Sequence, residues 1–375
     1  MGAINVKHTG SGADVNISSD GTDLLLNGTA IGGGTALELY AENPVTPTAP
    51  SATGENAVAI GFDASASGFR GFAAGRLSNA YGSHGVALGN QALAFGNYSA
   101  ALGADSYGYG DYSIALGKSR ASGLESFAVA IDNNTSSYGA TGANSVAIGS
   151  LAKASGNYST AIGDTAQATA LNSICIGDAV ASGRGSIVID GEGSSTRSGL
   201  RGVTIGYSST GTADYSVVLG FNADDQGVKS RFAFSGSSFN NDGDSQQGMF
   251  PLRLATTDAT PTALTTDGGA ASTDNQIILP NNSAYAFSGT IVARQQASQG
   301  TACAAWKIEG LIRREGSAGT TVLVNSATTI LDNTPAWGMI LSADTTNGGL
   351  KIEVTGAAAT NIRWVATINT SEVTY

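Results

Sequence analysis

Residues 144–163 read NSVAIGSLAKASGNYSTAIG, and the fold turns on this stretch. The phrase Ser-Val-Ala-Ile-Gly ending at Gly149 is followed fourteen residues later by Ser-Thr-Ala-Ile-Gly ending at Gly163. Working outward, the phrase-ending residue falls at Gly61, Gly75, Gly89, Gly103, Gly117, Asp132, Gly149, Gly163, Gly177, Asp190, Gly206 and Gly220, twelve copies in all. The spacings are 14, 14, 14, 14, 15, 17, 14, 14, 13, 16 and 14. A second glycine often follows half a period later, at Gly68, Gly82, Gly96, Gly110 and Gly156, and slightly sooner at Gly123 and Gly183. Each copy is therefore two short segments with a corner between them. Such a segment is too short for an ordinary helix but suits a strand of about five residues and a tight turn. Glycine accepts the positive φ that sharp corners need, and Asp132 and Asp190 replace it with a residue that also tolerates turns. The longer steps after those two aspartates read as loops. Stacked at about 4.8 Å per coil, the copies make a parallel β-roll.

In Val-Ala-Ile the middle residue faces one way and its flanks the other. Alanine holds eight of the twelve middle positions: Ala59, Ala73, Ala87, Ala101, Ala115, Ala130, Ala147 and Ala161. A fourteen-residue coil is narrow, so these small residues are assigned to its interior. The flanks then face outward: Val58, Ile60, Val86, Leu88, Ile114, Leu116, Val146, Ile148, Ile162, Ile174, Ile176, Val203 and Ile205, with Val129 and Ile131 at the sixth copy. Soluble monomers rarely expose an apolar stripe of that extent. Burying such a side chain contributes about 1.5–3 kcal/mol gross, so the sequence predicts an obligate oligomer joined along this face.

The phrases NSVAIGSLAKASG and YSTAIGDTAQATA resemble the head repeats of trimeric autotransporter adhesins, over about residues 55–223. That resemblance implies a left-handed parallel β-roll and three chains around one axis. The fold class expected is all-β: a trimeric left-handed roll shaft with a C-terminal antiparallel sandwich of jelly-roll type.

Five segments follow. Residues 1–42 hold a short apolar run, Leu24 to Leu26, between turn-rich stretches, which predicts a hairpin and an N-terminal docking segment. Residues 43–54 carry Pro44, Pro47 and Pro50 and read as a semi-rigid extended linker. The roll takes 55–223, and residues 224–275 read as an irregular connector. From 276 to 375 about eight strands alternate with Gly, Asn, Asp and Pro, as in an antiparallel sandwich. Trp306 and Trp364 are assigned to its core and Arg313, Arg314 and Arg363 to its solvated face. Trp337, near a strand start after Pro335, is the candidate receptor contact, an aromatic free to stack on a sugar. The run from LTTDGG through QIILPNNSAYAFSGTIVARQ to GLKIEVTGAAATNIRWVATI resembles C-terminal domains of bacteriophage tail fibres. That resemblance implies a trimeric domain at or near a fibre tip.

Composition narrows the chemistry. Charged residues are 13%, glycine is 52 of 375, and the formal net charge is −11. No basic cluster predicts a nucleic-acid face, and no apolar run of about 18 residues predicts a membrane span. Two histidines, His8 and His84, are too few for a His-based metal or catalytic cluster. Cys175 and Cys303 read as small buried apolar residues. Asn240 to Asp244 lack the remaining ligands of a calcium loop and read as a turn. Glycoside cleavage needs two carboxylates about 5–10 Å apart. Asp132 and Asp190 lie four coils apart, about 19 Å, and the adjacent Asp224 and Asp225 read as a turn. The expectation is a non-enzymatic virion fibre, assembled in the host cytoplasm and needing no cofactor. Its partners would be two further copies of itself, a tail, baseplate or capsid protein through the N-terminus, and a host surface glycan or protein. Neither nucleic acid nor membrane insertion is expected. A capsid-decorating head fibre, a polysaccharide-cleaving tailspike and a bacterial surface adhesin are the alternatives.

Overall fold

The structure is a computed structural model that describes residues 48–132, 137–191, 194–333 and 336–375, plus the backbone pairing of four short strands before them. Those strands, Ile4–Val6, Val15–Ser19, Leu24–Leu26 and Thr29–Ile31, form an antiparallel meander in chain order. The expected hairpin is thus a four-stranded sheet, with Leu24–Leu26 paired on both sides. Residues 43–47 of the expected linker lie outside the described residues. The first strand of the roll, Ser51–Ala52, already falls within the segment assigned to that linker.

The roll consists of two parallel stacks. One holds twelve strands, from Ser51–Ala52 to Thr210–Gly211. The other runs from Val58–Ile60 to Val217–Phe221 and gains one more parallel strand, Phe232–Ser235. Equivalent residues stand directly above one another, as in Val86↔Ala100, Ala87↔Ala101 and Leu88↔Leu102. Ala73, Ala87, Ala101, Ala147 and Ala161 are fully buried, as are Ala66, Ala94, Ala154 and Ala168 from the opposite stack. The small-residue interior is therefore as the alternation predicts.

The sixth copy departs from the expected phase. Ala128, not Ala130, stacks between Ala115 and Ala147. Ala130 takes the corner at φ 53°, where ten of the other copies carry glycine and the tenth copy carries Asp190. Ile131, expected to face outward, is buried in the roll's interior cluster. Taking Asp132 as the corner shifts the strand by two residues. That shift keeps Val129 outward but misplaces Ile131, which lies one residue past the corner, off the strand, with its carbonyl accepting from the Leu151 N–H of the next coil at 2.9 Å.

The two glycine rows answer different demands. Gly103 sits at φ 118°, a left-handed conformation. Gly96 has no such φ, but a β-carbon there would stand 2.1 Å from the Gly110 carbonyl oxygen of the next coil. A serine row, to which the sequence reading gives no role, lines the interior beside these corners. Ser145, Ser173 and Ser186 donate to the carbonyls of Gly142, Ala170 and Gly183 at 2.6, 2.8 and 2.6 Å. Buried turn carbonyls thereby gain partners.

The roll passes into the C-terminal unit through shared hydrogen bonds. Phe232–Ser235 pairs parallel with Val217–Phe221 and antiparallel with Ser245–Thr256. The sheet then continues through Ile362–Thr374, Ser283–Gln295, Cys303–Arg314 and the edge strand Val322–Asp332. A smaller sheet, built on Gly349–Thr355 with Thr262–Ala263, Ile277–Ile278 and Gly338–Asp344, covers one face. Phe250, Leu252, Ile291, Trp306, Ile308 and Trp364 from the large sheet meet Leu264, Ile277, Leu350, Ile352 and Val354 in one core. The C-terminal region is antiparallel sheet as expected, but its boundary moves: residues 224–275 are not an irregular connector. They supply the twelve-residue strand Ser245–Thr256 and part of the core. Gly248 and Pro251 disguise that strand. Pairing with Phe232–Ser235 stops at Met249, so Pro251 has a neighbour on one side only, where proline is tolerated. The only helix among the described residues is the three-residue turn Ala318–Thr320.

Candidate functional site

The outward stripe is the most extensive surface the sequence predicts, and the structure places it as a row. Outside the sixth copy, none of the thirteen flanking residues named above is buried within the subunit. Val58, Ile114, Ile162, Ile176 and Ile205 are exposed, and the other eight are half-buried by neighbours along the stack. Phe232 and Phe234 extend the row past the last coil, in register with Val217 and Leu219. Beyond Met249 the same face turns polar: Thr367, Asn369 and Ser371 follow on Ile362–Thr374, with Ser288 and Thr290 beside them.

A second surface was missed by the sequence reading. Two ladders of rings climb one corner of the roll. Phe69, His84, Tyr98 and Tyr112 follow one another at centroid distances of 5.4, 4.6 and 4.9 Å. Tyr81, Phe95 and Tyr109 do the same at 4.9 and 5.6 Å. Arg70 lies over Phe69 at 4.7 Å and Arg120 over Tyr109 at 4.2 Å. Ring faces inside the ladders are taken by other rings or by a guanidinium, so the ladders stiffen the corner rather than offer open stacking platforms. The signal was legible: aromatic residues recur at the coil period of fourteen.

Trp337 is corrected. It is 4% exposed and packs against Trp364 at 5.8 Å. Asn333 accepts from the Trp337 backbone N–H and donates to its carbonyl, both at 2.8 Å, and this turn tucks the indole into the core. Trp306 and Trp364 are buried as expected, and the Trp364 indole N–H donates to Thr256 Oγ1 at 2.9 Å. Of the arginines assigned to the solvated face, Arg313 and Arg363 are exposed, whereas Arg314 is half-buried and donates to the Leu279 carbonyl at 2.6 Å.

The acidic candidates are engaged in the scaffold. Asp190 is buried and accepts from the Ser195 N–H at 2.8 Å. Asp132 lies near Lys118 at 3.8 Å on the surface. Asp244 accepts the backbone N–H groups of Phe239, Asn240 and Asn241. Burial pushes its carboxyl up, but those three donors outweigh it and hold the group below the usual range. Asp225 is buried among Thr212, Ala213, Ser216 and Gly227, with Arg197 Nη1 at 3.7 Å. Asp224 beside it is pushed up to about 6, chiefly by burial and further by Asp225, against the Gln226 N–H. Arg231, fully buried, pairs with Glu372 and lies 5.0 Å from the Phe250 ring. These pairs lock the last coils to the sandwich. Among the described residues no three His, Cys, Asp or Glu side chains converge as a metal site.

The cysteines divide. Cys175 fills an interior middle position, and burial pushes its thiol up to about 11. Cys303 is exposed at a strand start opposite Arg294, against the expectation of burial. Neither is in a disulfide. Among the described residues no helix is long and apolar enough to cross a membrane.

The family model of the YadA head domain repeat matches residues 52–78, 80–106, 140–166 and 154–178, all within the roll. The chain is similar to that adhesin-type repeat over these residues. No curated protein matches the chain.

Proposed function

We propose that the chain is the subunit of a structural and adhesive fibre, an obligate homotrimer in which the roll is the shaft and the C-terminal sandwich meets a host surface. One observation carries this reading: the unburied Val/Ile/Leu row that runs the length of the roll. A lone subunit leaves that row in water, and association along it gains far more than a typical surface contact. The number three and the left-handed sense come from the resemblance to trimeric adhesin heads. Assignment to a phage virion, docked through residues 1–42, comes from the resemblance of the last third of the chain to tail-fibre C-terminal domains. On this reading the protein is non-catalytic, holds no cofactor, and acts by rigidity and contact.

The match to the YadA head repeat favours a second reading, a bacterial surface adhesin. The two share the trimeric shaft and differ in what the N-terminal segment joins. Labelling the N-terminus and imaging purified phage particles separates them, and also separates tail from capsid attachment. Light scattering tests the shared core: a full-chain mass of three subunits supports it, and a monodisperse monomer overturns it.

A further inference from the structure

The outward face of the C-terminal sheet carries three arginines at one end. Arg294 and Arg363 are direct cross-strand partners. Arg253 stands opposite Val365, two residues along the strand from Arg363. Alternation therefore puts all three on one face, and all three are exposed. Like charges directly opposite one another disfavour a sheet unless something offsets them. Acidic residues outnumber basic ones 29 to 18. Even so, among the described residues none of these three arginines has an ion pair, whereas Arg313 on the same sheet pairs with Glu315. Two are braced by backbone carbonyls instead. Arg253 Nη2 donates to the Asp267 carbonyl at 3.0 Å, and Arg294 Nη1 to that of Ala302 at 3.1 Å. Such bonds hold the guanidinium groups without neutralising them.

A cleft of about 590 Å³ opens between Arg294 and Arg363, walled by Gln295, Gln296, Asn361 and Thr257. A groove of about 350 Å³ adjoins it, bordered by Arg253, Gly268 and again Arg363. The amide wall is fixed: Asn361 Nδ2 donates to Gln296 Oε1 at 2.7 Å, and the Gln296 N–H to the Asn361 carbonyl at 2.8 Å. We infer that these two clefts, which share Ala255 and Arg363 in their walls, bind an anionic polysaccharide. One acidic group sits against Arg363 and Arg294, and a neighbouring one against Arg253. Guanidinium forks match carboxylate and phosphate oxygens in shape and charge. The amides and Thr257 suit sugar hydroxyls, and two clefts sharing one arginine suit a chain rather than a single small ion.

The inference deepens the adhesive reading above and rests on it for the source of the polymer. Calorimetry on the full chain tests it, with polygalacturonate supplying carboxylates, poly(glycerol phosphate) teichoic acid supplying phosphates, and neutral dextran as control. The expected result is binding to at least one polyanion, weakened by raised salt, with none to dextran; the polymer preferred identifies the acidic group. Arg294→Gln with Arg363→Gln should weaken binding about tenfold or more without changing mass or Tm. Arg313→Gln, on the same sheet but paired with Glu315, should leave it unchanged. Silence with both polyanions, equal binding of dextran, or wild-type affinity in the Arg294/Arg363 double variant overturns the site. Failure of the fibre reading appears separately, as a monomeric mass.

Discussion

Arg197 occupies the space that a β-carbon on Gly211 would take, its Nη1 lying 2.2 Å from that position. The two residues are register partners in the interior column that elsewhere reads Ala140, Ala154, Ala168 and Ala181. Gly202 yields on another side, where a β-carbon would meet Nη2 at 1.6 Å. An arginine thus enters a tube built for alanine because two glycines make room. Burial lowers its pKa despite Asp225 and Asp214, and its charge is met by Asp225 and by the Ala213 carbonyl at 2.6 Å. Gly211→Ala should cost about 3 kcal/mol or more, as overpacking against a charge that cannot leave. Adding Arg197→Ala should recover part of that loss. Thermal unfolding of the two variants checks it: an unchanged Tm for Gly211→Ala alone would show that the space is not limiting.

Corner glycines of the second row should be as intolerant, for a reason independent of φ. At Gly96 the added methyl would lie 2.1 Å from a backbone oxygen that no side-chain movement can clear. Gly96→Ala should therefore separate two coils locally and lower Tm by several degrees. Gly227→Ala meets nothing within 4 Å but does carry φ 72°, so it should lose only the roughly 1 kcal/mol of conformational strain. Equal losses in the two variants would contradict the stacking account.

Period and alternation made the roll legible, because every coil repeats the same demands on the same positions. Ala147 and Ala161 could be placed inside, and Ile148 outside, from spacing alone. The sixth copy was misphased because Ala130 does a glycine's work at its corner. Longer-range chemistry left weaker traces. Nothing near Arg197 in the chain announces Asp225, and nothing near Arg231 announces Glu372, 141 residues away. Trp337 looked free because its burial depends on the turn closed by Asn333 and on Trp364. The arginine cleft was hidden for the same reason, since Arg253, Arg294 and Arg363 become neighbours only through strand register.

Trp337→Ala should behave as a core deletion, costing about 3–5 kcal/mol, and should leave polysaccharide affinity of the folded fraction unchanged. Calorimetric binding below the variant's Tm checks this. A selective loss of affinity at full stability would return Trp337 to a surface role.

The pH response follows from Asp224. Its carboxyl is pushed up to about 6 by burial, above the ordinary carboxylate range. The folded state therefore holds a proton that the unfolded chain has released, and stability falls as pH rises from about 4 through about 6. The group is partly exposed, so the penalty above that window is about 1–2 kcal/mol after solvent screening. Asp224→Asn keeps the oxygen that accepts from the Gln226 N–H at 2.7 Å. It should stabilise the protein at pH 7.5 and leave it unchanged at pH 3.5. Equal Tm differences at the two pH values would remove Asp224 as the cause.

The outward row makes the strongest demand. Ile148 and Ile162 stand directly above one another in register, one half-buried and the other exposed within the subunit. Neither touches the alanine interior, so Ile148→Asp with Ile162→Asp should leave each coil foldable. In an assembled shaft the same change places two carboxylates per chain in an apolar seam, a cost of several kcal/mol per charge without a partner. The double variant should therefore fail to assemble and either aggregate or appear as a smaller species by light scattering. Ser150→Asp on an exposed turn of the same coil should keep the wild-type mass. A double variant that retains a trimeric mass and its Tm would move the assembly face elsewhere on the roll.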